Sequence, residues 1–220
     1  MTACENWERT EIINGQLSII NRRVGGVLLV VWGSLLLLAG CAFPGSTRPV
    51  IKIGLIAPFE GLHRAGGYRR LYGVKLALRE ANRAGGVAGY SIELVALNDF
   101  ADPAETAAQA RELALDPDVR GVIGNWEPAP AEAARPVYEA AQLAVVDPTQ
   151  FTDFSALPPS FPADYQSLAG SPPDAQAQQA YLATRRLLEA IESAVRQTGR
   201  PDRASVRRAL RRELSLRYQR

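Results

Sequence analysis

The chain has 220 residues, 47% of them hydrophobic and 22% charged, with a formal net charge of +2. This is enough apolar material for one domain with a core of useful size. No internal repeat or long low-complexity tract is present, which excludes a solenoid or a disordered chain. A single histidine and two cysteines leave little for metal or nucleophile chemistry.

Residues 1–23 are polar and end in Arg22-Arg23, directly before an apolar run from Val24 to Leu38. Basic flank, apolar core and small residues in that order describe an export signal over residues 1–40. The run closes in Leu38-Ala39-Gly40-Cys41, which resembles the bacterial lipobox. Cys41 is therefore the candidate lipidation site, and residues 41–49, with Pro, Gly and Ser, read as a tether. An uncleaved membrane helix from Val24 to about Ala42 is the competing reading, since that length just spans a bilayer. Either way Arg22-Arg23 stays inside and the rest faces outward. Cys4 falls in the part that would be removed and Cys41 would be acylated, so the mature domain is expected to have no thiol, no disulfide and no cysteine-built metal site.

From Val50 onward, strand-like and helix-like runs alternate. VIKIGLIA (Val50 to Ala57) is a β-branched and aliphatic run, ended by Pro58 and too short for a helix, so it predicts a buried strand. Leu71, Val74, Leu78 and Ala81 recur at helical spacing between Tyr68 and Ala84, and Gly85-Gly86 ends that run. A strand is predicted over 91–97. Asp102-Pro103-Ala104-Glu105 then offers an N-cap, a first-turn proline and a reciprocal capping carboxylate for an Ala-rich helix to about Leu115. Further strands are predicted over 119–123 and 143–146, with a helix from Ala131 to Ala141 between them. Strict alternation predicts a single doubly wound α/β lobe, residues 50–200, whose mostly parallel sheet carries helices on both faces.

These segments resemble a known family. IAPFEG, YGVKLALREANRAGGVAGYSIELVALNDFADP, DVRGVIGN and QLAVVDPT look like the first lobe of periplasmic solute-binding proteins of the branched-chain amino acid and amide class. That resemblance implies a type I periplasmic-binding-protein fold, a role beside an ABC importer's permease, and no catalysis. Full-length relatives cross into a second lobe after about residue 150. Here only Asp147 to Asp174 stands in that place, with Phe151, Phe154, Leu157 and Phe161 available to cover the exposed sheet edge or cleft. The segment from Phe161 to Ile191 resembles the late segment that, in two-lobed relatives, returns to pack on the first lobe. Its Ala177, Ala180, Tyr181, Thr184, Leu188, Ile191 and Val195 make one apolar stripe that must be buried. Residues 201–220 read as a basic helix. Asp202 is its N-cap, Val206, Leu210 and Leu214 lie on one face, and Arg203, Arg207, Arg208, Arg211, Arg212 and Arg217 on the other. The arginine face reads as solvated, or as a contact for anionic headgroups.

In an open parallel sheet, ligands sit at the carboxyl ends of the strands near the switch point. The loops expected there are Pro58 to Gly67, Asn125 to Pro130 and Asp147 to Asp153. The ligand-binding candidates are Phe59, Glu60, Trp126, Glu127, Thr149 and Gln150, because aromatic rings beside carboxylates suit an amine-bearing solute. Amino-acid-binding relatives have Ser or Thr just after the third strand. Trp126-Glu127-Pro128-Ala129-Pro130 has no hydroxyl and two missing amides, and Glu127 would repel a carboxylate, so the usual carboxylate cradle cannot form in the same way. Asn98, Asp99 and Asp102 read as turn and cap residues. His63 stands alone in a Gly-rich loop, no G-x-S-x-G elbow is present, and Gly66-Gly67 lacks the Lys-Ser/Thr of a phosphate loop, so no enzyme and no cofactor is expected. A single lobe offers roughly half the contacts of a clamp, which predicts weak binding unless a second subunit supplies the other wall. A second reading follows from that: an interaction lipoprotein whose lobe binds a protein partner or its own copy.

Overall fold

A computed structural model describes residues 48–217, with side chains through residue 212. The export signal, Cys41 and most of the tether lie outside the described residues, as do the side chains of Leu214 and Arg217. Four strands, β1 (Val50–Ala57), β2 (Ser91–Asn98), β3 (Val119–Ile123) and β4 (Ala144–Val146), form one sheet in the order β2-β1-β3-β4. All pairs are parallel, from Val50 opposite Ser91 on one side of β1 to Gly121 opposite Ala144 beside β4. The order reverses direction between β1 and β3, which puts the switch point at their carboxyl ends.

Residues of β1 alternate between two cores, as the period of two requires. Ile51, Ile53, Leu55 and Ala57 face helices α1 (Arg64–Arg83) and α5 (Ala175–Thr198), while Ile56 faces α2 (Pro103–Leu115) and α3 (Pro128–Ala140). Full burial of each large aliphatic contributes about 1.5–3 kcal/mol. Helix α5 packs along α1 at close range, and a Cβ on Gly73 would lie 2.4 Å from the carbonyl oxygen of Ala177. Tyr181 fastens the pair, its hydroxyl donating to Glu80 Oε2 at 2.6 Å; burial, then that bond, pushes the phenol up to about 12. Asp174 caps α5 by accepting from the Ala177 amide, and Gly199 ends it at φ 73°. The apolar stripe on α5 is buried here, with Val195 at its half-exposed end.

Several local details differ from the sequence reading. Helix α1 starts at Arg64 rather than Tyr68, because Gly66 and Gly67 lie inside its first turn. Gly67 is needed there: an added Cβ would lie 2.0 Å from the Pro58 carbonyl oxygen. Helix α3 starts three residues earlier than expected, since Pro128 is tolerated in a first turn. At α2, Asp102 does accept from the Glu105 amide, but the Glu105 carboxylate takes Gln109 instead of closing a reciprocal box. The Asp102 amide that would complete it already donates to the Asp99 carbonyl at 2.7 Å.

The segment after β4 reaches the main core through Phe151, while its other apolar residues pack elsewhere. Pro148–Gln150 is a single 3-10 turn; Phe151 packs against both the main core and the cluster around helix α4 (Phe161–Ala169), and Phe154 and Leu157 pack against the latter. There Phe161 and Tyr165 are buried against Leu76, Ala77 and Tyr181, so this stretch extends the α1/α5 layer. Helix α6 (Arg203–Arg217) buries Val206, Ala209 and Leu210 in the main core. Its first arginine is not part of a solvated face. Arg203 is half-buried and donates to the carbonyls of Ala114 (3.1 Å) and Asp116 (2.6 Å) at the end of α2 and of Val119 (2.9 Å) at the start of β3, the first two being among the carbonyls that a helix end leaves without a partner in the helix.

Candidate functional site

The carboxyl ends of β1 and β3 are joined by side chains from three loops. Asn98, the last residue of β2, accepts from the amides of Phe59 (2.8 Å) and Glu60 (3.3 Å), which fixes the turn leaving β1. The Phe59 ring meets Tyr68 edge-on at 5.9 Å between centroids. Asp99, buried beside Asn98, accepts from Thr106 Oγ1 and the Ala101 amide. Burial pushes its carboxyl above the ordinary 3.8, with the Glu127 charge adding to the rise.

Arg70 is the residue that sequence reasoning missed. It lies in the first half of α1, is 3% exposed, and reaches across the end of the sheet to Glu127 Oε1 at 2.8 Å. Its guanidinium carbon sits 4.6 Å from the centroid of the Trp126 ring. Glu127 is the N-cap residue of α3 but makes no capping bond, since its carboxylate is turned to Arg70. The sequence expectation that Glu127 would repel a carboxylate is thereby altered: its charge is already matched by a buried cation. Arg70 Nε and Trp126 Nε1 are buried donors with no hydrogen-bond partner among the described residues. The signal available in the sequence was a lone arginine on the side of α1 that otherwise carries Leu71 and Val74, where a charge needs a partner.

The six candidates are not gathered equally. Phe59 and Trp126 are half-buried and pack against the main core. Glu60 is exposed, and Thr149 and Gln150 are exposed on the 3-10 turn, both turned back to Asp147, with Thr149 Oγ1 at 2.7 Å from Oδ1. Only Glu127 lines the shallow cleft of about 250 Å³ at this end, together with Leu62, His63, Arg69, Arg70 and Gln176. Pro128 and Pro130 have no amide hydrogen, and the Ala131 amide is used by the Glu127 carbonyl, so α3 offers few donors here. Of the four exposed large hydrophobics among the described residues, Leu62, Tyr68 and Phe100 lie on the loops and helix start of this end. Among the described residues there is no group of His, Cys, Asp and Glu that could hold a metal, and no helix is long and apolar enough to cross a membrane.

Comparison with known proteins fits this geometry. A family model described as periplasmic binding protein matches residues 50–169. A leucine-, isoleucine-, valine-, threonine- and alanine-binding protein of Pseudomonas aeruginosa is 30% identical over 112 residues, 51% of this chain and 30% of that protein. A Leu/Ile/Val-binding protein homolog of Brucella melitensis is 37% identical over 107 residues, 49% of this chain and 26% of that protein. The chain thus matches less than a third of the length of these curated relatives. Among solved structures, the branched-chain amino acid transporter substrate binding protein LivJ of Streptococcus pneumoniae, in complex with isoleucine, aligns with a TM-score of 0.63 at 13% identity, covering 73% of this chain and 87% of that one. An ABC transporter substrate-binding protein of Desulfitobacterium hafniense in complex with Leu gives 0.61 at 15% identity, covering 74% and 88%. At such identities the likeness is one of fold.

Proposed function

Because the chain belongs to the periplasmic binding protein family, we propose that it is an exported, lipid-anchored solute-binding lipoprotein related to the binding subunit of an ABC importer, with an amino acid or amide as its solute. Periplasmic binding proteins capture solutes rather than transform them, and no bond is made or broken in this reading. Cys41 carries the lipid, residues 41–49 are the tether, and the lobe faces the periplasm or the extracellular side.

The observation that carries the proposal is the pair of unspent buried donors, Arg70 Nε and Trp126 Nε1, beside the Glu127 carboxylate. A zwitterion matches that set: its carboxylate accepts from the two donors while its ammonium group meets Glu127 and Glu60, with the ring of Trp126 alongside. Phe59 and Tyr68 supply apolar surface for the solute's side chain. The names of the relatives point to branched-chain amino acids as the first solutes to try.

The test is a thermal melt of the full chain in nonionic detergent, alone and with leucine, isoleucine, valine and small amides at millimolar concentration. A solute at a hundred times its Kd stabilises by about 2.7 kcal/mol and moves the midpoint visibly. A cooperative melt that no solute moves contradicts the proposal. It would favour the second reading, a lobe that docks on a protein partner or a second copy. That reading draws on Leu62, 92% exposed, with Tyr68 and Phe100 at the same end.

A further inference from the structure

A second and larger cleft, about 380 Å³, lies at the β4 edge of the sheet rather than at the β1/β3 switch point. Among the described residues β4 is paired on one side only, and the cleft is lined by its middle residue Val145, by Tyr138 and Glu139 of α3, and by Arg207, Leu210 and Arg211 of α6. It shares none of the residues placed at the solute site.

Three features of the lining fit together. The walls are mostly apolar, with Leu143, Val145 and Leu210 facing the space. The rim is cationic: Arg207 and Arg211 line it, and Arg208 stands beside them in the adjoining concavity. None of these three forms an ion pair among the described residues, Arg207 donating only to the Glu139 carbonyl at 3.3 Å, whereas the two acids in the lining are engaged. Glu139 lies 3.9 Å from Arg135, and Asp147 accepts from Thr149. At depth, Asn125 and Tyr138 are 8% and 4% exposed, and Asn125 Oδ1 and the Tyr138 hydroxyl have no hydrogen-bond partner among the described residues. Buried polar atoms are rarely left so, and a site that leaves them unpaired favours a ligand able to complete them.

We propose that this cleft binds a small amphipathic carboxylate, its anionic end at Arg207 and Arg211, its apolar body over Leu143, Val145 and Leu210, and a hydroxyl or amide at its far end reaching Asn125 and Tyr138. The volume suits a ligand of one ring and a short chain. The inference is independent of the amino acid reading, because the two sites have no residue in common.

The test titrates the full chain in nonionic detergent with p-hydroxyphenylpropionate by calorimetry, beside phenylpropionate, which lacks the hydroxyl, and p-hydroxyphenylpropanol, which lacks the charge. The expected result is saturable one-to-one binding of the hydroxy acid, about tenfold weaker for each of the other two. In an Arg207→Gln/Arg211→Gln double variant the acid and the alcohol bind alike. In Tyr138→Phe, which keeps the ring and removes an unpartnered hydroxyl, the hydroxy acid loses its advantage over phenylpropionate while the melt stays cooperative. Equal binding of acid and alcohol to the unaltered chain overturns the proposal, as does full retention of acid binding in the double variant. So does sedimentation with phosphatidylglycerol vesicles through the same arginines with no acid binding, which would assign them to a membrane surface.

Discussion

Arg70 and Arg203 sit at opposite ends of one parallel sheet and use their donors in opposite ways. At the amino ends of the strands, Arg203 gives Nε to Val119 and Nη2 to Ala114 and Asp116, with Nη1 3.5 Å from the Ala141 carbonyl. The carbonyls of Ala114, Asp116 and Ala141 lie at the carboxyl termini of α2 and α3, where the helix dipoles are negative and a cation is favoured. At the carboxyl ends, Arg70 has one carboxylate and an aromatic face, and its Nε has no partner. The carboxylates follow the same division. Asp116 is held below the ordinary 3.8, first by its bond from Lys52 and then by the Asp118 amide, whereas burial lifts Asp99 above it. The guanidinium of Arg203 is thus spent on carbonyls and ties the ends of two helices to the sheet, although burial and the nearby Arg120 oppose its charge. That of Arg70 keeps a donor unspent, which is the difference the proposed site rests on.

The largest effect expected from breaking this comparison is on Arg203. Arg203→Ala leaves several carbonyls without a donor and should cost about 3 kcal/mol in urea unfolding, with solute binding unchanged in the folded fraction. Arg70→Met should do the reverse. Its volume is kept and Glu127 can be solvated, so stability should shift by about 1 kcal/mol or less while solute binding falls about tenfold.

The two carboxylates give opposite pH signatures. The lowered value of Asp116 means that its stabilisation is fully present above the unfolded value of 3.8 and is lost as pH falls through the folded one. Asp116→Asn should therefore melt below wild type at neutral pH and converge with it in acid. Asp99 is raised, so its ionisation disfavours the fold as pH rises through the folded value. Asp99→Asn can still accept from Ala101 and can donate to Thr106, so it should melt slightly above wild type at neutral pH, with the gain shrinking on acidification. A neutral-pH melt at or below wild type for Asp99→Asn would show that its charge is better accommodated than this account holds.

Much of the fold was legible because local signals and tertiary packing agree. The β-branched run of β1, the Asp102-Pro103 start of α2 and the stripe on α5 each specify an element by spacing alone. The site was less legible. Trp126 and Glu127 could be placed at a strand end from alternation, but their partner Arg70 lies 57 positions before Glu127 in sequence, on a helix whose other residues read as core. Arg203 was misread for the same reason: among the arginines of α6 nothing local distinguishes the one whose guanidinium meets the ends of two other helices. The course of residues 151–161 was also hidden, because aromatic residues in a loop show that something is covered but not which surface.

The most direct test of the central claim is a matched set of melts with leucine for the wild-type chain, Arg203→Ala and Arg70→Met. The account predicts that leucine raises the midpoint of wild type and of Arg203→Ala by similar amounts and that of Arg70→Met by only about half as much, as a tenfold loss of affinity requires. An undiminished shift in Arg70→Met would contradict it, since the solute would then be held without the buried guanidinium on which the proposed site is built.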